Sequence, residues 1–264
     1  MTDTTTTPRA TPSIGLTLRS LLAADTQVIL RSRQTLLLNL LMPIVILVLT
    51  DRAGRGSGAA AGTQFGDAGF LIAMALTYGL LSSSLMGYSI TIARDREAGV
   101  FQRLRVAPAP TWAIMSSRLI VQFAAAIATS IIVIVVGSIL HGVSYGAGSY
   151  VLIFLVAVLG AAMFLGIGQA LVGLVRSTTV VNAVGRVLYI VLILLGLLGA
   201  SGLLGDTIKS IADWSPVGAL ITLFVAVTQL AAWTWSDTGA LLACVGYLVV
   251  FAGIGIRWFK WDPR

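Results

Sequence analysis

From Leu119 to Val175 the chain contains no Asp, Glu, Lys or Arg, and that run restricts its fold more than any other feature. A helix crosses the hydrocarbon of a bilayer with about 20 mostly apolar residues, and within lipid only helices and closed barrels satisfy their own backbone. The run accommodates two crossings, 112–140 and 150–175, and four further stretches read the same way: 34–50, 68–93, 180–204 and 239–258. The first is short and is interrupted by Asn39 and Pro43, which predicts a tilted or broken entry. Only 10% of the residues are charged and 57% are hydrophobic, whereas soluble domains carry roughly a quarter charged residues. The expected fold is an all-α integral membrane protein with six transmembrane helices.

Charge orients it. Lys and Arg collect on the cytoplasmic side of short loops, and with the N-terminus inside, all of the 17 basic residues except Arg52, Arg55 and Lys209 fall on inner segments. The apolar stretch from Pro216 to Trp233 is ambiguous in length. A seventh crossing there would send Arg257, Lys260 and Arg264 outward, so the outer segment 205–238 is expected to dip into the membrane and return. The single transmembrane domain is then 34–258, between a disordered tail over 1–13 and a cytoplasmic tail over 259–264. No apolar run follows a basic start closely enough for a cleavable signal. The net charge of +7 follows from this topology and requires no nucleic-acid partner.

Before the first crossing, over 14–33, Ile14, Leu18, Leu21, Leu22, Val28 and Ile29 share one side of a helical wheel, with Arg19, Arg31 and Arg33 off it. This pattern predicts an amphipathic helix in the cytoplasmic interface, although Asp25 falls within the apolar stripe. A frayed start of the first crossing is the alternative.

The segment 94–110 concentrates charge. Arg94, Asp95, Arg96 and Glu97, the only glutamate, carry the second helix beyond the bilayer; Gly99 loosens it; Val100, Phe101 and Leu104 with Arg103 and Arg105 make a short amphipathic turn; and Pro108 and Pro110 stop it. Anchoring with headgroup contact accounts for such a segment, and so does a docking surface. A loop that only reverses direction needs just a few polar residues.

The stretch ARDREAGVFQRLRVAPAP resembles the cytoplasmic loop of the type-2 ABC transporter permeases, an exporter family that includes bacterial drug and antibiotic-resistance permeases. The matching residues are Arg94, Arg96, Glu97, Gly99, Leu104, Arg105 and Pro108. The similarity extends to an interfacial helix before six spans and to a long outer segment carrying WSPVGAL between the fifth and sixth. The short, Gly-rich outer loop DRAGRGSGAAAGTQFGD departs from the pattern and offers little for an extracellular lid. The resemblance implies that this chain pairs with a second copy or a homologous permease around a substrate path. It also implies two ATP-binding subunits per complex, which hold the ATP and Mg, so that the chain itself binds no cofactor. An ATPase-coupling set of Arg94, Asp95, Arg96, Glu97, Gly99, Phe101, Leu104, Arg105 and Pro108 follows, with elbow-helix contacts through Leu18, Leu21, Leu22 and Arg31. Closure of the ATPases would push on these elements and tilt the spans, with Glu97 and Arg105 transmitting the motion.

Independently of the resemblance, the chain lacks a phosphate-cradling G-x-x-x-x-G-K-[ST] loop: neither of its lysines, Lys209 and Lys260, follows a glycine. Hydrolysis is therefore expected from another polypeptide. His141 has no acidic or Cys neighbour in sequence and reads as a hydrated loop histidine; Cys244 reads as a small apolar residue; no metal site is expected. No acidic residue lies near the middle of a span, which argues against a proton- or sodium-coupled carrier. Candidates for the substrate path are Thr77, Tyr78, Ser84 and Tyr88 on the second span, with Thr91, Ser82 and Ser89 close by, and Asn182 and Tyr189 on the fifth. Helix packing through small hydroxyl residues explains these strips as well as a solute does. Gly196, Gly199, Gly202 and Gly205 form a seam for close helix approach, and Arg186 suits a cytoplasmic anchor or the path entrance. The expected cargo is a hydrophobic or amphipathic small molecule, such as an antibiotic or drug, or a lipid, moved out across a bacterial plasma membrane. A polysaccharide or lipid-linked glycan permease and a non-transporting anchor are the alternatives.

Overall fold

A computed structural model describes residues 14–31, 40–48, 67–100, 111–175, 177–201, 205–229 and 233–258. Among these residues regular structure is entirely helical. We number the helices α1 (Ile14–Arg31), α2 (40–48), α3 (Ala68–Glu97), α4 (Thr111–His141), α5 (Ala147–Leu174), α6 (Thr178–Ser201), α7 (Gly205–Trp214), α8 (Pro216–Gln229) and α9 (Trp235–Trp258).

Helix α3 is the pole of the bundle. It carries no charge between Asp67 and Arg94, and a helix with no charged face is stable when enclosed. Every residue from Gly69 to Leu85 is buried, with α4, α5, α6 and α8 packed around it and Pro43 of α2 seated against Gly79. Its N-terminal end is capped by Asp67, whose Oδ1 accepts from Gly69 N at 2.9 Å. That bond satisfies one of the helix's orphan donors.

Because lipid tails are as apolar as leucine, helices in a membrane associate through close van der Waals contact at small residues. The α5–α9 pair shows this. A Cβ built on Gly166 would lie 3.4 Å from Ala252 N, and one on Gly255 would lie 2.6 Å from Gln169 Cγ and 3.1 Å from Ala170 N. By contrast, α4, α6 and α9 leave rows of large apolar side chains exposed, among them Ile131, Val135, Val187, Ile190, Val249 and Val250. Only lipid or another apolar surface accommodates such rows.

Five helices, α3 to α6 and α9, are long and apolar enough to cross a membrane. They coincide with the crossings expected over 68–93, 112–140, 150–175, 180–204 and 239–258. The crossing expected over 34–50 lies outside the described residues except for the helical 40–48. Where an outer dipping segment was expected, α7 and α8 meet at 81°, and the pair has the length and composition of a broken span or a re-entrant loop. The break is written in WSPVG. Ser215 Oγ accepts from Gly218 N at 3.1 Å, an N-cap with Pro216 at the first helical position. A side chain at Gly218 would strike the Ala212 carbonyl. Tyr247 of α9 holds the corner by donating to Trp214 O at 2.9 Å.

The glycine seam is shorter than the spacing suggested. Gly196 faces the Tyr78 hydroxyl and Val217, and Gly199 faces Ala212, whereas Gly205 has a φ of +81° and starts α7. It serves a left-handed turn that side chains disfavour, and nothing lies within 4 Å of its Cβ position.

Gly255→Ala is expected to lower the thermal unfolding midpoint in detergent through overpacking of about 1–3 kcal/mol. Gly253→Ala, two residues away with nothing within 4 Å of its Cβ position, is the control and should leave the midpoint in place. Equal midpoints for the two variants would contradict the packing described.

Candidate functional site

The C-terminal end of α3 is where the charged segment begins. The helix closes with Ala98 N donating to Arg94 O at 2.9 Å and Gly99 N to Arg96 O at 3.2 Å, and Gly99 has a φ of +66°. Gly99 therefore terminates the helix in the left-handed conformation rather than merely loosening it. Phe101, Leu104, Arg105 and Pro108 lie outside the described residues.

The four charged residues of this turn divide into two pairs. Arg94 and Glu97 are exposed, and Asp95 and Arg96 turn inward. Arg96 is buried and donates from Nη1 to Val175 O at 3.0 Å and from Nη2 to Val172 O at 2.9 Å. These are the carbonyls at the C-terminal end of α5, where backbone acceptors are left over and the helix dipole favours a cation. Beside it, Thr178 Oγ1 at the start of α6 donates to Ala93 O at 2.9 Å. The end of α3 is thereby fastened to both α5 and α6.

Asp95 forms an ion pair with Arg118 Nη1 of α4. The same guanidinium lies 3.7 Å, through Nε, from Asp25 Oδ1 of α1, and Asp25 also accepts from the Ser117 hydroxyl. One cation thus joins two carboxylates on three helices. Asp25, which spoiled the apolar stripe of α1, is there because the stripe faces this cluster. Leu18, Leu21, Leu22 and Ile29 around it are half-buried, and Arg19 and Arg31 are exposed. Leu21 packs against the Tyr88, Ile92 and Ile114 cluster.

The hydroxyls of α3 do not form one strip. Residues Leu81–Gly87 are π-helical, and a π turn accommodates about one extra residue, which rotates everything downstream by about 100°. Thr77 Oγ1 bonds back to Ala73 O at 2.9 Å, while Tyr78 donates to Ile193 O of α6 at 3.0 Å. Ser82 lies beside Tyr189 of α6. Gln122 Nε2 of α4 donates to Ser83 O at 2.8 Å, and the buried Ser83 and Ser84 hydroxyls have no partner among the described residues. Beyond the π turn, Tyr88 donates to Gln169 Oε1 of α5 and Ser89 crowds Gly168. Asn182 is half-buried on α6.

The large cavities lie elsewhere. One of about 470 Å³ beside the start of α3 is bordered by Asp67, Lys209, Asp213, Gln229 and Asp237, and one of about 560 Å³ lies between α1, α3 and α4. Neither is lined by Thr77, Tyr78, Ser84, Tyr88, Asn182 or Tyr189. Two of the carboxylates at the first cavity serve as caps: Asp67 on α3, and Asp237 Oδ2 accepting from Thr234 N and Oγ1 at 2.7 Å each at the start of α9.

Arg118→Leu is expected to cost about 2 kcal/mol, because it strands two half-buried carboxylates. Adding Asp25→Asn and Asp95→Asn should recover part of that loss in thermal unfolding. Absence of any recovery would show that the three groups do not act together.

Comparison with known proteins adds one match: a family model described as ABC-2 type transporter aligns with residues 17–228, which run from α1 to the end of α8. No curated protein matches the chain.

Proposed function

The chain belongs to the ABC-2 type transporter family, and on that premise we propose that it is the permease of an ATP-driven exporter for a hydrophobic or amphipathic small molecule. As a multi-pass membrane transporter subunit, it has all-helical described segments and exposed apolar rows suited to a bilayer. In this proposal hydrolysis belongs to two ATP-binding subunits, and a second copy or a homologous permease completes the path. The α7–α8 pair is re-entrant from the outer face, α1 lies in the cytoplasmic interface, and both termini are cytoplasmic.

The division of charge at the end of α3 supports the coupling role most directly. Arg94 and Glu97 face outward, free to meet a partner. Their immediate neighbours Asp95 and Arg96 are tied to α4 and to the C-terminal carbonyls of α5. A push on the outer pair is therefore delivered to helices that cross the membrane, without slack between surface and bundle. Drugs or lipids suit the proposal better than glycans, since α3 carries no charge between Asp67 and Arg94 and its buried Tyr78 and Tyr88 hydroxyls are already engaged with neighbouring helices.

The tagged chain, purified in mild detergent, is expected to bring down a P-loop ATPase in near-stoichiometric amount. Glu97→Ala should leave the chain inserted and reduce cargo-stimulated ATP hydrolysis about tenfold, the scale of one coupling contact. Unchanged stimulation with an intact partner would remove Glu97 from that role. In a Cys244→Ala background, Ser210→Cys should react with an impermeant thiol reagent on intact cells and Ala98→Cys should not; the reverse pattern would overturn the topology.

A further inference from the structure

The cavity of about 560 Å³ between α1, α3 and α4 is large enough for a ligand, within the range of roughly 300–1,000 Å³ typical of small-molecule sites. It is elongated along the helices. On α4 it is bordered from Ile120 to Ile132, a distance of about 18 Å at 1.5 Å per residue. That length covers roughly one leaflet, half of a hydrocarbon core of ~30 Å. Its walls are chiefly apolar, with Ala125 and Ala128 forming a shallow floor on α4 and Ile29 of α1 also lining it. Val28, Ile120 and Ile132 on its rim are exposed, so the cleft is open to whatever surrounds the bundle.

Charge is confined to the cytoplasmic end. Asp95 and Arg94 both border the cavity, but the Asp95 carboxylate is engaged by Arg118, whereas the Arg94 guanidinium is exposed with no carboxylate partner among the described residues. A leaflet-long apolar cleft that ends at an exposed cation matches a molecule with a hydrocarbon chain and an anionic head. We infer that this cleft is a binding site for one anionic phospholipid of the inner leaflet, with an acyl chain along α4 and its phosphate at Arg94. The lipid is a resident of the elbow-helix seat and is separate from the exported cargo. The site rests on the cavity and the Arg94 cation and does not depend on the exporter proposal; only its assignment to the inner leaflet takes the proposed topology as its premise.

Native mass spectrometry of the full chain in mild detergent tests the inference with two added probes, phosphatidylglycerol and phosphatidylcholine of identical acyl composition. Wild type is expected to hold one phosphatidylglycerol tightly and to prefer it about fivefold over phosphatidylcholine, the effect of one cation on an anionic headgroup. Arg94→Gln should abolish the preference while a lipid is still held. Ala125→Phe, which fills the floor, should remove retention of both lipids, and Ala128→Leu provides the same test should the larger side chain prevent folding. Retention unaffected by both filling variants, or no tight lipid on the wild-type chain, would overturn the site. Equal retention of the two lipids by wild type would overturn the role of Arg94. Neither result depends on ATP hydrolysis or cargo, so failure here is distinct from failure of the exporter proposal.

Discussion

The polar groups of a buried transmembrane helix are answered chiefly by its own backbone and by other helices, because the hydrocarbon offers no water to do so. The rest of this bundle is arranged around that requirement at α3. Tyr78 reaches the carbonyl of Ile193 on α6, Ser83 O takes the amide of Gln122 on α4, Tyr88 takes Gln169 on α5, and Arg96 closes on the carbonyls ending α5. Each of these bonds fixes a neighbour's rotation and depth. Once those helices are set, the glycines at 166, 168 and 255 permit the approach distances that van der Waals packing requires.

The C-terminal end of α3 adds a second, electrostatic layer. Ion pairs removed from water contribute little net stability, but breaking one by deleting a partner is costly. The Asp25–Arg118–Asp95 cluster therefore acts as a register mark: α1, α3 and α4 meet with both carboxylates compensated only in one relative placement. Placing this cluster directly behind the exposed Arg94 and Glu97 gives the end of α3 two faces, one exposed and one for the bundle. A π turn further up the same helix, at Leu81–Gly87, supplies a segment whose hydrogen bonding is already irregular, as is common at functional positions in helices.

Much of this was legible in the chain itself, and the failures have physical causes. Five crossings coincide with apolar runs because their length is set by the bilayer and their composition by lipid. The WSPVG break reads locally as cap, proline and glycine. The polar strip of Thr77, Ser84 and Tyr88 was laid out on an ideal α-helix, and the π turn, which nothing in LSSSLMG announces, rotated its lower half toward another neighbour. Asp25 looked like a flaw in an amphipathic stripe because its compensating residues, Ser117 and Arg118, are remote in sequence; Asp25 and Ser117 are 92 positions apart. Arg96 read as one more surface charge of the loop, yet it is the buried one.

By itself the sequence determined the solvent this protein lives in, the positions of its crossings and the concentration of charge at one end of the second. Those properties depend on residues counted along the chain, through hydropathy, spacing and helix-breaking chemistry. Tertiary structure alone decided which charges are spent inside the bundle and which are left exposed, and which glycines are contacts and which are turns. Such choices depend on which side chain lies across from which, and a pairing between helices carries no trace in the local pattern of either one.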